Sequence, residues 1–279
     1  MKKIYTEEFE SIQALLKTLN ERPNNKVMSN EYSSADGDFD FTGTHSYEEA
    51  VKLLRTGYTD IIKTVKSTLA TITKSNKHLN SGSRTMPRNN IMGYVPNVPN
   101  AIIGLPESMI NTDLTPQKRK TISIVYSMDG NCCEGTDFFI KTGTILLAAI
   151  NIIELSGIQV KLSVGFMAAE TSTELTFPIV SIKNYGQRLD LLKTCFPLAH
   201  PSMMRRIGFK WLETTPQITD QSYSCGYGRD PKDLKTIAEV VKQNYNKNSY
   251  VLNTHWIRDN NYSVEKLLTF LDFNVKDGN

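Results

Sequence analysis

The chain predicts an α/β fold, a mostly parallel sheet with one antiparallel edge strand, preceded by an N-terminal helical region. Three observations carry this. Residues 121–127 read Thr-Ile-Ser-Ile-Val-Tyr-Ser, a β-branched run that suits a strand. Residues 136–155 stay apolar for far longer than a strand does, which makes them a helix. Gly157 closes that run, and residues 160–166, Val-Lys-Leu-Ser-Val-Gly-Phe, alternate apolar and polar side chains as a second strand. Strand, helix and strand form a βαβ unit, and so long a crossover brings the two strands parallel.

Ahead of this unit, Phe9, Ile12, Leu16 and Leu19 recur at helical spacing, so residues 6–20 are expected to be an amphipathic helix. Residues 21–38 are rich in Asn, Ser, Gly and Pro and read as a loop. Ser46 and Glu49 make a capping box, in which the hydroxyl accepts a free helix amide and the carboxylate reaches back. Gly57 is placed to end that helix. Tyr58, Ile61, Ile62, Val65, Leu69 and Ile72 then share one stripe of a further helix.

Beyond the second strand, the gap before residues 175–183 is too short for a helical crossover, so this third strand should run antiparallel. Pro178 within it suits an edge position, where a missing amide costs no ladder bond. Residues 189–196 and 202–212 read as helices. Asp230 and Pro231 open another, with Leu234, Ile237, Ala238 and Val241 as its inner stripe. Residues 250–257 read as a late strand, and Ser263 caps a final helix through Phe270. The expected division is residues 1–117, helical with a long basic loop, and residues 118–279, α/β.

With 279 residues, 39% of them hydrophobic and a formal charge of +3, the chain is expected to fold and is too balanced for its totals to name a nucleic-acid partner. Cys132 and Cys133 are adjacent, and Cys195 and Cys225 are distant. No disulfide framework or Cys-x-x-Cys spacing results, and a reducing cytoplasm is expected. Lys141, Asn151 and Glu154 interrupt residues 138–155, and the first residues lack an apolar core. Neither a membrane span nor a signal peptide is expected.

Residues 61–106 contain no Asp or Glu, yet hold Lys63, Lys66, Lys74, Lys77, Arg84 and Arg88. Within them, residues 76–100 are loop-like. The functional reading is an anion-binding arm for nucleic acid, with Lys74, Lys77, Arg84 and Arg88 as contacts; the bland reading is a solvated basic face. His200, Arg205 and Arg206 form a second polar cluster, His-Pro-Ser-Met-Met-Arg-Arg. Neighbours on an α-helix point about 100° apart, so one arginine would bind an anion and the other a local acid such as Asp190 or Glu213. His200, outside the helix, could cap, ligate or titrate, although lone histidines are mostly structural. Cys132 and Cys133 precede a helix N-terminus, whose dipole would lower a thiol pKa, with no histidine near in sequence. The glycine loop Cys225-Gly-Tyr-Gly-Arg follows no strand and is a weak phosphate cradle. No Walker loop, Gly-x-Ser-x-Gly elbow or His-Glu-x-x-His is present.

A strand with a polar turn, a long buried helix, a second strand and an antiparallel third together resemble the von Willebrand factor A type of α/β domain, over residues 118–273. That family carries Asp-x-Ser-x-Ser after its first strand and holds a divalent cation there. The matching positions here are Ser127, Asp129 and Asn131. The resemblance therefore implies a degenerate site, with Mg²⁺ as the one cofactor it could hold; the leading Asp and the last Ser are replaced. The chain also resembles uncharacterised proteins of bacteriophages and related mobile elements. That resemblance rests on residues 41–50 (Phe-Thr-Gly-Thr-His-Ser-Tyr-Glu-Glu-Ala), 104–109 (Gly-Leu-Pro-Glu-Ser-Met) and 198–206 (Leu-Ala-His-Pro-Ser-Met-Met-Arg-Arg). It implies a phage-carrying bacterial cytoplasm and supplies no reaction. The expected function is non-enzymatic binding of a protein partner, host or phage, at the sheet end near residues 127–131 and the Arg205 helix. The alternatives are nucleic-acid binding through residues 63–88 and a metal-assisted hydrolase at Asp129.

Overall fold

The β-branched and apolar runs fold as a three-layer α/β structure. The computed structural model describes residues 3–25, 33, 39–75, 88–111, 121–166, 169–170, 174–218, 234–244 and 249–273. The chain opens with β1 (Lys3–Phe9), α1 (Ile12–Glu21), α2 (Phe39–Thr42), α3 (Tyr47–Thr56) and α4 (Ile62–Ser75). A small antiparallel sheet follows: β2 (Arg88–Asn90), β3 (Val95–Pro96), then α5 (Val98–Ile102) and β4 (Met109–Asn111), in the order β2-β4-β3. The main body continues with β5 (Thr121–Met128), α6 (Thr136–Leu155), β6 (Gln159–Phe166), β7 (Ala169–Glu170) and β8 (Glu174–Lys183). After α7 (Leu191–Ala199) come a π-helical turn (Met203–Gly208), α8 (Phe209–Thr214), α9 (Leu234–Asn244), β9 (Ser249–Asn253), α10 (Thr254–Asp259) and α11 (Val264–Phe270).

The main sheet runs β1-β8-β6-β5-β9, with β7 pairing β8. β5 is parallel to both β6 and β9, and β8 is antiparallel to β6, as the crossover lengths require. Ser46 caps α3 by accepting from the Glu49 amide at 3.2 Å, and the Glu49 carboxylate accepts from the His45 amide at 2.6 Å. Gly57 ends that helix at φ +95°, and Gly157 follows α6 at φ +84°. Ser263 caps α11.

Three expectations are corrected. Residues 6–9 of the expected helix belong instead to β1, which runs parallel to β8 at the margin of the main sheet. The helix starts only where Ser11 caps it, accepting from the Ala14 amide at 3.2 Å, so Phe9 belongs to the strand. β1 therefore takes the edge, and β8, with Pro178, lies inside. Pro178 is tolerated there because β6 pairs residues 179–183 of β8 and β7 pairs residues 175–176, so it faces no ladder partner on that side. Finally, residues 254–257 are the start of α10, not the end of a strand. The Asn253 side chain accepts from the Trp256 amide at 2.8 Å and turns the chain into a helix.

One sheet face packs on α6 with Ile122, Ile124, Tyr126, Val160, Leu162 and Val164; the other packs Val125, Val251, Phe177 and Ile179 against Ile237 and Val241 of α9. α6 is the one helix among the described residues long and apolar enough to cross a membrane, and most of it is enclosed within the protein. Gly143 lets α7 approach it, since a Cβ there would lie 2.5 Å from the Leu198 carbonyl oxygen. The helices before residue 118 share this core, through Leu15, Leu16, Ala50, Leu54 and Val65. Glu7 of β1 faces inward, accepting from the Trp211 indole at 2.7 Å and from both terminal nitrogens of Arg22.

Candidate functional site

In open α/β sheets the ligand crevice lies beyond the carboxyl ends of strands whose connections diverge. Here the nearest counterpart is the shared carboxyl end of the parallel neighbours β5 and β9, which are followed by α6 and α10. Its side chains come from the loop after β5 and from α10, where His255 and Arg258 share a face at i, i+3 spacing. Two of them meet one carboxylate: the Glu134 Oε1 lies 3.0 Å from His255 Nε2 and accepts from Arg258 Nη1 at 2.8 Å. The Asn131 amide donates to Glu134 Oε2 at 2.8 Å, and the Thr254 hydroxyl donates to the Asp129 carbonyl. The loops are thus tied to each other by their own groups. Glu134, Thr254, His255 and Arg258 were not legible as a cluster in the sequence, because the two loops lie more than a hundred residues apart.

The open polar edge expected at residues 127–131 is corrected by this arrangement. Ser127, Met128, Asp129 and Gly130 are buried, and a Cβ on Gly130 would sit 2.5 Å from the Phe139 ring. Asn131 alone of the three oxygen-bearing positions is exposed. Ser127 and Asp129 are enclosed while Asn131 faces out. Among the described residues no three of His, Cys, Asp and Glu form a metal-holding group.

Arg205 and Arg206 are likewise inside. Both lie on the π-helical turn and are fully buried. Arg205 Nη1 donates to the Phe41 carbonyl at 2.6 Å, and its Nη2 donates to those of Asn131 at 2.7 Å and Glu134 at 2.9 Å. Its guanidinium lies 4.0 Å over the Phe41 ring and 5.1 Å from that of Phe139. Arg206 donates to the carbonyls of Ser33 at 3.0 Å, Thr44 at 3.0 Å and His45 at 3.3 Å. The two arginines do point apart, but toward main-chain oxygens rather than toward an anion at the surface. Of the local acids, Asp190 caps α7 and Glu213 accepts from Ser33.

His200 closes α7 as its C-cap. Its ring stacks on Phe196 at 4.7 Å, meets Tyr58 edge-on at 4.6 Å and accepts from the Ser202 amide at 3.2 Å through Nδ1. Burial pushes its pKa down to about 4, so it is neutral and structural at pH 7. The Cys132 and Cys133 sulfurs lie 3.8 Å apart and exposed. The hydrogen bond shared with Cys132 raises the Cys133 pKa, the reverse of the lowering expected from the helix dipole.

Of the basic stretch, Lys63 and Lys66 are exposed on α4, and Arg88 opens β2. Lys77 and Arg84, the Lys74 side chain and the Cys225 loop lie outside the described residues.

What the charge pattern did not disclose is an apolar arm. Among the described residues, eight of the eleven exposed large hydrophobic ones fall between Ile91 and Leu105, including Ile91 at 69% exposure, Met92 at 77%, Ile102 at 78% and Ile103 at 70%. The arm is held by polar bonds: Asn97 caps α5, its amide donates to the Ser108 carbonyl at 2.7 Å, and its side chain donates to Asn89 at 2.9 Å. Gly93 lies so close under Ile110 that a Cβ would be 2.2 Å from its carbonyl oxygen. The aliphatic pairs Ile91-Met92 and Ile102-Ile103 beside Gly and Pro were the available signal.

Two measurements test this account. Arg205→Met and Arg205→Lys should each lower the unfolding free energy by about 3 kcal/mol or more, since three main-chain carbonyls lose a buried planar donor that lysine cannot replace. Denaturant melts read this, and a loss below about 1 kcal/mol for either variant would refute the structural role. For His200, the unfolded chain takes up its proton near 6.5 and the folded chain only near 4. Its contribution is therefore present above about pH 6.5 and falls by on the order of 3 kcal/mol as pH drops to about 4. His200→Gln should flatten that part of the stability–pH profile, and an unchanged slope would contradict the assignment.

No curated protein and no solved structure matches the chain. The family model described as Domain of unknown function (DUF7192) matches residues 1–274, nearly the whole length and across both β1 and the main sheet, and the chain belongs to that family.

Proposed function

We propose that the protein is a non-enzymatic binding protein that engages a protein partner through the arm at residues 89–105. The α/β structure is the body that carries the arm. The observation behind this reading is the concentration of exposed aliphatic side chains between Ile91 and Leu105. Summed over the eight residues the exposed surface is on the order of 1,000 Å², and a contiguous apolar patch above a few hundred Å² marks an interaction site. The docking element is thus moved from the buried sheet end to the arm. We infer in addition that the body is of von Willebrand factor A type and works in a phage-carrying bacterial cytoplasm. The parallel β5–α6–β6 unit with antiparallel β8 supports the first, and the motif at residues 41–50 the second.

Capture of a partner by the full chain tests the reading. A partner retained by the natural sequence should be lost on Ile91→Asp with Ile102→Asp, at unchanged thermal stability. Retention by the double variant would remove the arm as docking element.

A second reading is favoured by the acid-free stretch at residues 61–106, with Lys63 and Lys66 exposed on α4. Nucleic-acid binding through residues 63–88 would show a steep salt dependence. Charge reversal at Lys74, Lys77, Arg84 and Arg88 should weaken that binding and flatten its salt slope; binding that salt does not affect would exclude it.

A further inference from the structure

We infer that the occupant of the arm is a second copy of this chain: residues 89–105 of two protomers pack on each other about a twofold axis. This rests on the reading of the arm as the docking element, and goes beyond it by naming the partner.

Three features of the arm carry the inference. The first is that it has regular structure without a core. β2, β4 and β3 pair in register, α5 is capped, and yet no residue of the arm whose exposure is described is buried. A small sheet in water needs an apolar face covered before it is stable. The arm has the apolar side chains and turns them outward, so it has the form of one half of a core.

The second is area. The exposed surfaces of the eight residues sum to on the order of 1,000 Å², the same order as the about 800 Å² that a stable association needs from each partner. A symmetric contact uses the same patch twice, so the arm alone is sufficient.

The third is charge. Between Asn89 and Pro106 the sequence has no charged residue. Two copies can therefore meet without enclosing an unpaired ion, and the patch is aliphatic, as the interfaces of homodimers are. A bilayer is a poorer occupant, because the outer edges of β2 and β3 would leave main-chain amides and carbonyls facing hydrocarbon. An acidic partner would be drawn to the basic residues, which lie outside the apolar segment in the sequence.

Light scattering coupled to gel filtration and sedimentation velocity on the full chain decide it. The expected mass is twice 31.5 kDa. Ile102→Asp with Ile103→Asp should weaken the dimer by roughly a hundredfold or more, because charge replaces buried aliphatic surface on both sides. Both positions are exposed in the protomer, so the variant should keep the far-ultraviolet circular dichroism spectrum of the folded body. A monomer across the accessible concentration range would overturn the inference, as would a dimer that the double variant leaves intact. If the monomeric chain still captures a different protein through the arm, the second copy is wrong and the docking reading survives. If it instead floats with vesicles of anionic phospholipid in an arm-dependent way, both fail.

Discussion

Two cations sealed inside the protein fix the layout of its carboxyl-terminal sheet end. Arg205 and Arg206 leave one π-helical turn in different directions and collect the carbonyls of Phe41, Asn131 and Glu134 on one side and of Ser33, Thr44 and His45 on the other. A charge taken out of water is tolerated only where oriented dipoles replace its hydration. The loops must therefore come to the arginines, and the loop after β5 takes its position from them. The two stretches at residues 41–50 and 198–206 are accordingly partners in one contact. The Thr44 and Ser202 hydroxyls meet at 2.8 Å, and Gly43, at φ +76°, lies against His200 and Pro201.

The sequence disclosed local features well and distant convergence poorly. The β5–α6–β6 unit was legible because its signals are consecutive: a β-branched run, an unbroken apolar stretch and a stopping glycine. The caps at Ser46 and Ser263 were legible for the same reason. Residues 6–9 were misread because Phe9 happens to continue the spacing of Ile12, Leu16 and Leu19, while pairing with β8 overrides that spacing. Arg205 and Arg206 looked like surface charge because nothing near them in the chain shows that six main-chain oxygens from remote segments converge on them. The Glu134–His255–Arg258 group was hidden for the same reason.

The body and the arm follow opposite rules. In the body even the polar groups of Asp129, Thr142 and Glu213 are enclosed, and the large side chains interlock. In the arm, polar side chains make the internal bonds and aliphatic ones face water. A single chain that keeps both arrangements has its stability concentrated in one part and its unsatisfied surface in another. That separation lets the apolar segment be altered without disturbing β5, α6 or β9.

The π-helical turn before α8 also sets an angle. A turn closed by i→i+5 bonds holds more residues than an α turn, so the helix beyond Gly208 is rotated by roughly 100° from the heading an uninterrupted α-helix would give it. That offset aims the Trp211 indole at Glu7 and thereby holds β1 against the sheet margin. The wide turn works as a phase adjustment: shortening residues 203–208 by one would swing the indole around the helix axis and leave the Glu7 carboxylate to Arg22, with β1 still paired to β8.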